Sequence, residues 1–312
     1  MSKKIAVIGI GGVGGFLAGA LANTYEHVTL VARGQRKESI KKQGLVLHSD
    51  CLGEIVASPE HVVEDLKEAG EQDFIFICVK NYSLKEVCEK ISPVVGDNTV
   101  IVPVMNGVDP GECTRSYLGK GIVLDSLIYI VSYADQDYSI VQQGNIAHVH
   151  IGCGNAGEKE QDAIEQVRRL FKEASVDCRV EADIEKAIWK KYVFNCAYNV
   201  LTAYYMTDVA GILNDPGRYE EFKTLLKEAM DVAKAKKIWL PDDYLEAQIV
   251  RFESLSPESG SSLQRDMASG SKTELETFSG YLVREAKRLG VTVPFSGKCY
   301  ETLKSRTTVS GS

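Results

Sequence analysis

Three polar side chains, Lys191, Asn195 and Asn199, recur at four-residue steps in residues 188–199, which are otherwise rich in Trp, Tyr, Phe, Val and Ala. On a helix that spacing sets all three in one stripe. Burying such a stripe costs several kcal/mol unless it is hydrogen-bonded, so it faces either a polar cleft or a buried network. A lysine there, protonated at neutral pH unless strongly desolvated, is a suitable proton donor. A structural network or plain solvent exposure explains the spacing equally well. Further along, Ser262 precedes a Thr273-Glu274-Leu275-Glu276 run in which Thr273 and Glu276 fit a capping box. Glu274 then falls in a first helical turn, where a carboxylate is ordinary.

A second group of residues suits a phosphate ligand. Gly9-Ile10-Gly11-Gly12-Val13-Gly14 fits G-x-G-x-x-G, follows an apolar run and opens a helical pattern. Gly9 permits a tight turn, Gly11 lets backbone approach a pyrophosphate, and Gly14 allows close helix–strand packing. The expectation is a dinucleotide over Gly9, Gly11, Gly12, Val13 and Gly14, its phosphates at the helix N-terminus. A glycine-rich turn without a ligand is the alternative; a kinase loop is excluded by the lack of H-R-D and D-F-G partners. After the second apolar run, where NAD enzymes place a carboxylate for the ribose, stands Arg33, with Arg36 and Lys37 close behind. A guanidinium suits a 2′-phosphate, so NADP is preferred over NAD, unless Arg33 merely begins a solvated basic loop. Lys80 and Asn106 each follow a predicted strand's carboxyl end, where open α/β sheets bind ligands. Either also serves as a plain turn residue.

These residues need a frame, and the chain supplies one. Residues 5–8, 28–31, 74–79 and 99–104 are β-branched runs with few polar interruptions, alternating with helical spacing over residues 13–23 and 84–91. That pattern predicts parallel strands covered on both faces. Residues 121–152, with Gly144-Asn145 as a turn, predict antiparallel strands added to the sheet's edge. A helix over 158–174 and a short strand near 178–180 complete this part. Beyond Asp183 only long helical patterns occur, over about 183–206, 217–237, 242–254 and 273–290. The fold class is therefore an α/β Rossmann-type doubly wound sheet with added edge strands, followed by an all-α C-terminal domain. The boundaries fall at residues 1–181 and 182–312.

With 312 residues, 44% hydrophobic and 25% charged, the chain has an ordinary globular composition. A net charge of −7 and no Lys/Arg stripe argue against a nucleic-acid partner. The eight cysteines show no C-x-x-C and no metal-ligand spacing, so no metal is expected and a reducing, cytoplasmic setting is. The opening apolar run is too short and glycine-rich for a secretory signal, and residues 187–206 carry Lys190, Lys191, Asn195 and Asn199, which a bilayer disfavours. No membrane association is expected. An apolar helix face serves a core and a dimer interface equally well, which leaves a homodimer open.

Taken in order, the Gly9–Gly14 loop, Arg33, Val79-Lys80, Asn106-Gly107, the helix at 189–199 with Leu201-Thr202-Ala203, and the segment from Ser262 through Glu274 to Gly280 resemble the ketopantoate reductase family. The resemblance implies reduction of a small 2-oxo acid, 2-dehydropantoate (ketopantoate), to pantoate with NADPH, in pantothenate and coenzyme A biosynthesis. It implies an active site in the cleft between domains. Lys191 would protonate the 2-oxo oxygen as hydride arrives, and Glu274 would hold and polarise the catalytic network. Asn195 and Asn199 would hydrogen-bond the substrate's hydroxyl, Ser262 would bind its carboxylate, and Asn106 and Lys80 would lie between cofactor and substrate. Three positions depart from the family pattern: Ala210 and Ser279 where asparagine is usual, and Val200 where proline is common. They leave open an NADP-dependent enzyme acting on another branched 2-oxo or 3-hydroxy acid, including the 6-phosphogluconate type. A non-catalytic NADP-binding sensor is the reading that an intact Lys191 and Glu274 disfavour.

Overall fold

In the computed structural model, which describes residues 3–154 and 156–309, the chain divides into two units, Met1–Ile184 and Glu185–Ser312. The first runs β1 (Ile5–Ile8), α1 (Gly12–Thr24), β2 (Val28–Val31), α2 (Gly34–Gln43), β3 (Leu45–Ser49), β4 (Gly53–Ala57), β5 (His61–Val63) and β6 (Phe74–Ile77). It continues with α3 (Leu84–Ile91), β7 (Val100–Pro103), α4 (Pro110–Leu118), β8 (Ile122–Val123), β9 (Asp125–Ala134), β10 (Ile140–Gly152), α5 (Glu158–Glu173) and β11 (Asp177–Val180).

Six strands pair in parallel in the order β5-β2-β1-β6-β7-β8. Numbered by their place along the chain, that is the 3-2-1-4-5-6 order of a doubly wound sheet, with its topological switch between β1 and β6. The two central strands read Ile-Ala-Val-Ile and Phe-Ile-Phe-Ile and are buried throughout. Strand alternation sends Ile5, Val7, Phe74 and Phe76 into one layer with α1 and α5, and Ala6, Ile8, Ile75 and Ile77 into the other with α3. Each fully buried aliphatic side chain there contributes about 1.5–3 kcal/mol.

Of residues 121–152, β8 joins the edge of the parallel sheet. The antiparallel pair β9 and β10 lies in a second, five-stranded sheet with β3, β4 and β11. This sheet packs on α1, whose Gly15 leaves room for Ile140: a Cβ on that glycine would sit 2.4 Å from the Ile140 side chain.

Among the described residues the second unit is helical: α6 (Ile184–Tyr205), α7 (Val209–Leu213), α8 (Pro216–Ala235), α9 (Tyr244–Glu253), α10 (Ser262–Ala268), a π-helical turn over Glu276–Gly280, α11 (Tyr281–Leu289) and α12 (Pro294–Val309). Gly290 ends α11 with φ +71°, and Pro294 opens the next helix. No helix among the described residues is long and apolar enough to cross a membrane.

Candidate active site

In the first unit the candidate residues follow the carboxyl ends of four adjacent strands. Arg33 follows β2, the glycine loop follows β1, Lys80 follows β6 and Asn106 follows β7. Gly9 makes the turn with φ +91°, a conformation that side chains disfavour. A Cβ on Gly14 would lie 2.0 Å from the Gly9 carbonyl oxygen, and one on Gly12 2.4 Å from that of Ser132. Gly11 differs, since nothing lies within 4 Å of its would-be Cβ. It caps α1 without a side-chain hydrogen bond, so the cap residue leaves the first N–H groups, at the positive end of the helix dipole, without a side-chain acceptor. Beyond β2, Arg33 is exposed, with Glu86 only a loose neighbour at 3.8 Å. Arg36 lies against the Tyr138 ring at 5.4 Å, and its Nη1 is buried with no hydrogen-bond partner. Burial lowers the Arg36 pKa, with Tyr138 opposing. An orphaned guanidinium N–H calls for an acceptor. Open glycine backbone, a helix start without a side-chain cap and the orphaned Arg36 Nη1 fit a dinucleotide with a phosphate near α2. The Asn81 amide donates to the Asn106 carbonyl at 2.7 Å and ties the two remaining loops together.

In the second unit, α6 carries the Lys191, Asn195, Asn199 stripe. Beside it, at 192 and 196, the Tyr192 hydroxyl donates to the Thr277 carbonyl at 2.9 Å and the Cys196 thiol to that of Phe278 at 3.1 Å. Both acceptors belong to the π-helical turn, so α6 holds the segment that follows Glu274. The predicted capping box does not form. The Thr273 hydroxyl accepts from the Leu275 N–H at 3.4 Å, but the Glu276 carboxylate accepts from Tyr300 at 2.6 Å and pairs with Arg284 instead. Glu274 is 4% exposed, ahead of the helix rather than in its first turn. Burial pulls the Lys191 ammonium down to about 8, the Glu274 carboxylate opposing and the Arg251 guanidinium adding to the fall. Lys191 thus lies within electrostatic reach of the Glu274 carboxylate and the Arg251 guanidinium. Asn199 is buried and Asn195 partly exposed. The Asn199 side-chain oxygen accepts from the Ser262 hydroxyl at 3.1 Å and from the Leu263 N–H at 3.5 Å.

Two sets of sequence-selected residues are therefore assembled: Gly9–Gly14, Arg33, Lys80 and Asn106 in one unit, and Lys191, Asn195, Asn199, Ser262 and Glu274 in the other. Sequence reasoning missed Asn81, Tyr192 and Arg251. None of the three stands out by spacing, because each takes its meaning from a partner on another segment.

The strand order and glycine loop define a Rossmann-type unit followed by a helical one. Residues 5–156 match the family described as Ketopantoate reductase PanE/ApbA, and residues 183–307 match its C-terminal counterpart. The chain belongs to the ketopantoate reductase PanE/ApbA family, a family of oxidoreductases. It is 32% identical to the uncharacterized oxidoreductase YkpB of Bacillus subtilis (strain 168), over 96% of this chain and 98% of that one. It is 29% identical to a 2-dehydropantoate 2-reductase of Mesorhizobium japonicum, over 76% of this chain and 78% of that one. The crystal structure of 2-dehydropantoate 2-reductase from Methylococcus capsulatus matches with TM-score 0.87 at 25% identity, covering 99% and 98% of the two chains.

Proposed function

We propose that this chain reduces 2-dehydropantoate to pantoate with NADPH, a step of pantothenate and coenzyme A biosynthesis. Residues 1–181 bind the dinucleotide and residues 182–312 supply the proton and hold the substrate. The observation that carries the reading is Lys191, a desolvated ammonium with Glu274 and Arg251 as its charged neighbours. Bound NADPH supplies a hydride to the carbonyl carbon. The chain's part is to meet the negative charge that develops on the carbonyl oxygen, where a cationic donor acts most strongly in the transition state. With its pKa lowered to about 8, Lys191 is still mostly protonated at neutral pH and releases its proton more readily than a solvated lysine. Glu274 favours the protonated form and so keeps the donor charged. Asn195, one helical turn on, offers its amide to the substrate's hydroxyl. Asn199 and Ser262, hydrogen-bonded to each other, brace the same face.

The preference for NADPH rests on Arg33 and on the orphaned Arg36 Nη1. One position favours another branched 2-oxo acid. Ala210 is the second residue of α7, its N–H donating to the Pro257 carbonyl at 2.8 Å in the loop that leads to Ser262, and it presents a methyl group where a hydrogen-bonding side chain would hold a hydroxyl. The test is NADPH oxidation with 2-dehydropantoate, with NADH as the cofactor control. Lys191→Ala is expected to lower kcat by about 10²–10⁴. NADPH binding without turnover of 2-dehydropantoate would remove the substrate assignment and leave the family and fold intact.

A further inference from the structure

α9 lies along the middle of α6. The Tyr244 hydroxyl donates to the Lys190 carbonyl, the Arg251 guanidinium carbon sits 4.3 Å from the Phe194 ring centroid, and Phe252 meets the Tyr198 ring at 6.1 Å. At about 100° per residue, Tyr244, Gln248, Arg251 and Phe252 share one arc of roughly 100°; three of the four meet α6, and Phe252 also stacks on Phe222 of α8 at 4.0 Å. Two of these four are polar, which a purely structural helix face does not require. On α6, Phe194 and Tyr198 lie along one side of the Lys191 and Asn195 stripe, so Arg251, stacked on Phe194, is delivered to its edge.

Two further observations point to a ligand here. Gln248 is 9% exposed, and its side-chain oxygen is buried with no hydrogen-bond partner. Leaving such a group unsatisfied is costly enough that native structures rarely do so without a ligand or water to meet it. Separately, the single proton of the Ser262 hydroxyl is already committed to Asn199 at 3.1 Å. A carboxylate accepts and does not donate, so the Ser262 hydroxyl has no second proton to offer one. A guanidinium has five N–H donors in a fork that matches a carboxylate, and stacking on Phe194 fixes its plane.

We propose that Arg251 is the residue that grips the carboxylate of the substrate, and that α9 forms the recognition face of the site, with the Gln248 amide oxygen receiving a donor from the substrate's side chain. The substrate class is then an anionic 2-oxo acid carrying a hydrogen-bond donor. This rests on the 2-oxo acid reading above, and the experiment separates the two. The NADP-loaded chain is titrated calorimetrically with pantoate, with its methyl ester, and with other 2-hydroxy acids and their esters, in native, Arg251→Gln and Arg251→Lys forms.

The expected result is that the native chain binds acid over ester by about 10- to 100-fold. Arg251→Gln brings that ratio close to one with NADP affinity unchanged, and Arg251→Lys keeps part of it. Equal weakening of acid and ester would overturn the proposal, since that marks a packing role on Phe194. So would an unchanged ratio accompanied only by a shifted pH profile, since Arg251 would then act on Lys191 alone. If pantoate fails to bind but another 2-hydroxy acid binds with an Arg251-dependent ratio, the 2-dehydropantoate assignment falls and Arg251 stands. If none binds, both fall. The lysine variant keeps the charge and guards against misreading a folding defect in the glutamine variant.

Discussion

Lys191 can protonate an oxygen only while it carries a proton, and the fold makes that proton easier to lose. Its pKa is lowered to about 8 by burial, against about 10.4 for a free lysine. The sign of the pH dependence follows. Below about pH 7 the donor is charged and the rate of reduction is at its plateau; as pH rises through 8 the donor is lost. The value of kcat/KM for reduction should then fall about tenfold per pH unit on the alkaline side. Oxidation of the 2-hydroxy acid needs the neutral amine and should rise over the same range. Glu274 is the counterweight, because it raises the lysine pKa that burial lowers. Glu274→Gln should move the alkaline limb to lower pH, in addition to any loss of rate. Both effects are read from pH–rate profiles of the native chain and the variant. A native profile flat from about pH 7 to 10 would show that the proton comes from elsewhere.

The element that sets Glu274 in place is the π-helical turn over Glu276–Gly280, and it is fastened by two donors on α6. Replacing Tyr192 by Phe keeps the ring, which meets Trp189 at 5.3 Å and Tyr281 at 5.9 Å, and removes only the hydroxyl that serves the buried Thr277 carbonyl. The loss should cost about 1 kcal/mol, seen as a fall of roughly 2–4 °C in Tm, together with a several-fold fall in kcat as the segment after Glu274 loosens. An unchanged Tm with unchanged kcat would show that the turn holds without α6. The sequence could not reveal this turn, because Thr273 and Glu276 imitate a capping box and only the distant Tyr300 and Arg284 draw the Glu276 side chain away. The central strands were legible for the opposite reason. Their runs are apolar on both faces, and that mark is local. β9 and β10 were legible as strands, but not their sheet, since partners such as Val141 and His48 lie far apart in the chain and register between them leaves no local signature. The glycine loop and the Lys191 stripe could be read from spacing, whereas Arg251 could not, because its meaning depends on which helix α9 faces.

For the whole molecule, the proposed division of labour between the two units makes a prediction about stability as well as chemistry. A ligand bound only by the folded state stabilises it by about 2.7 kcal/mol at a hundred times its Kd. If the dinucleotide is held by the strand ends of the first unit, NADPH should slow amide exchange most strongly at residues 9–15, 33–37, 80–82 and 106–107. The helices α8 and α12 of the second unit should change little. The comparison with NADH sharpens the test. Both dinucleotides carry the pyrophosphate that the glycine loop and the start of α1 would hold, so both should protect residues 9–15. Only NADPH carries the 2′-phosphate that the exposed Arg33 and the orphaned Arg36 Nη1 are suited to meet. Protection at residues 33–37 should therefore be specific to NADPH at matched occupancy. If NADH protects 33–37 equally, the arginines are no phosphate receptor and the cofactor preference is lost. If protection falls mainly in residues 185–312, the assignment of the first unit as the dinucleotide-binding one is wrong.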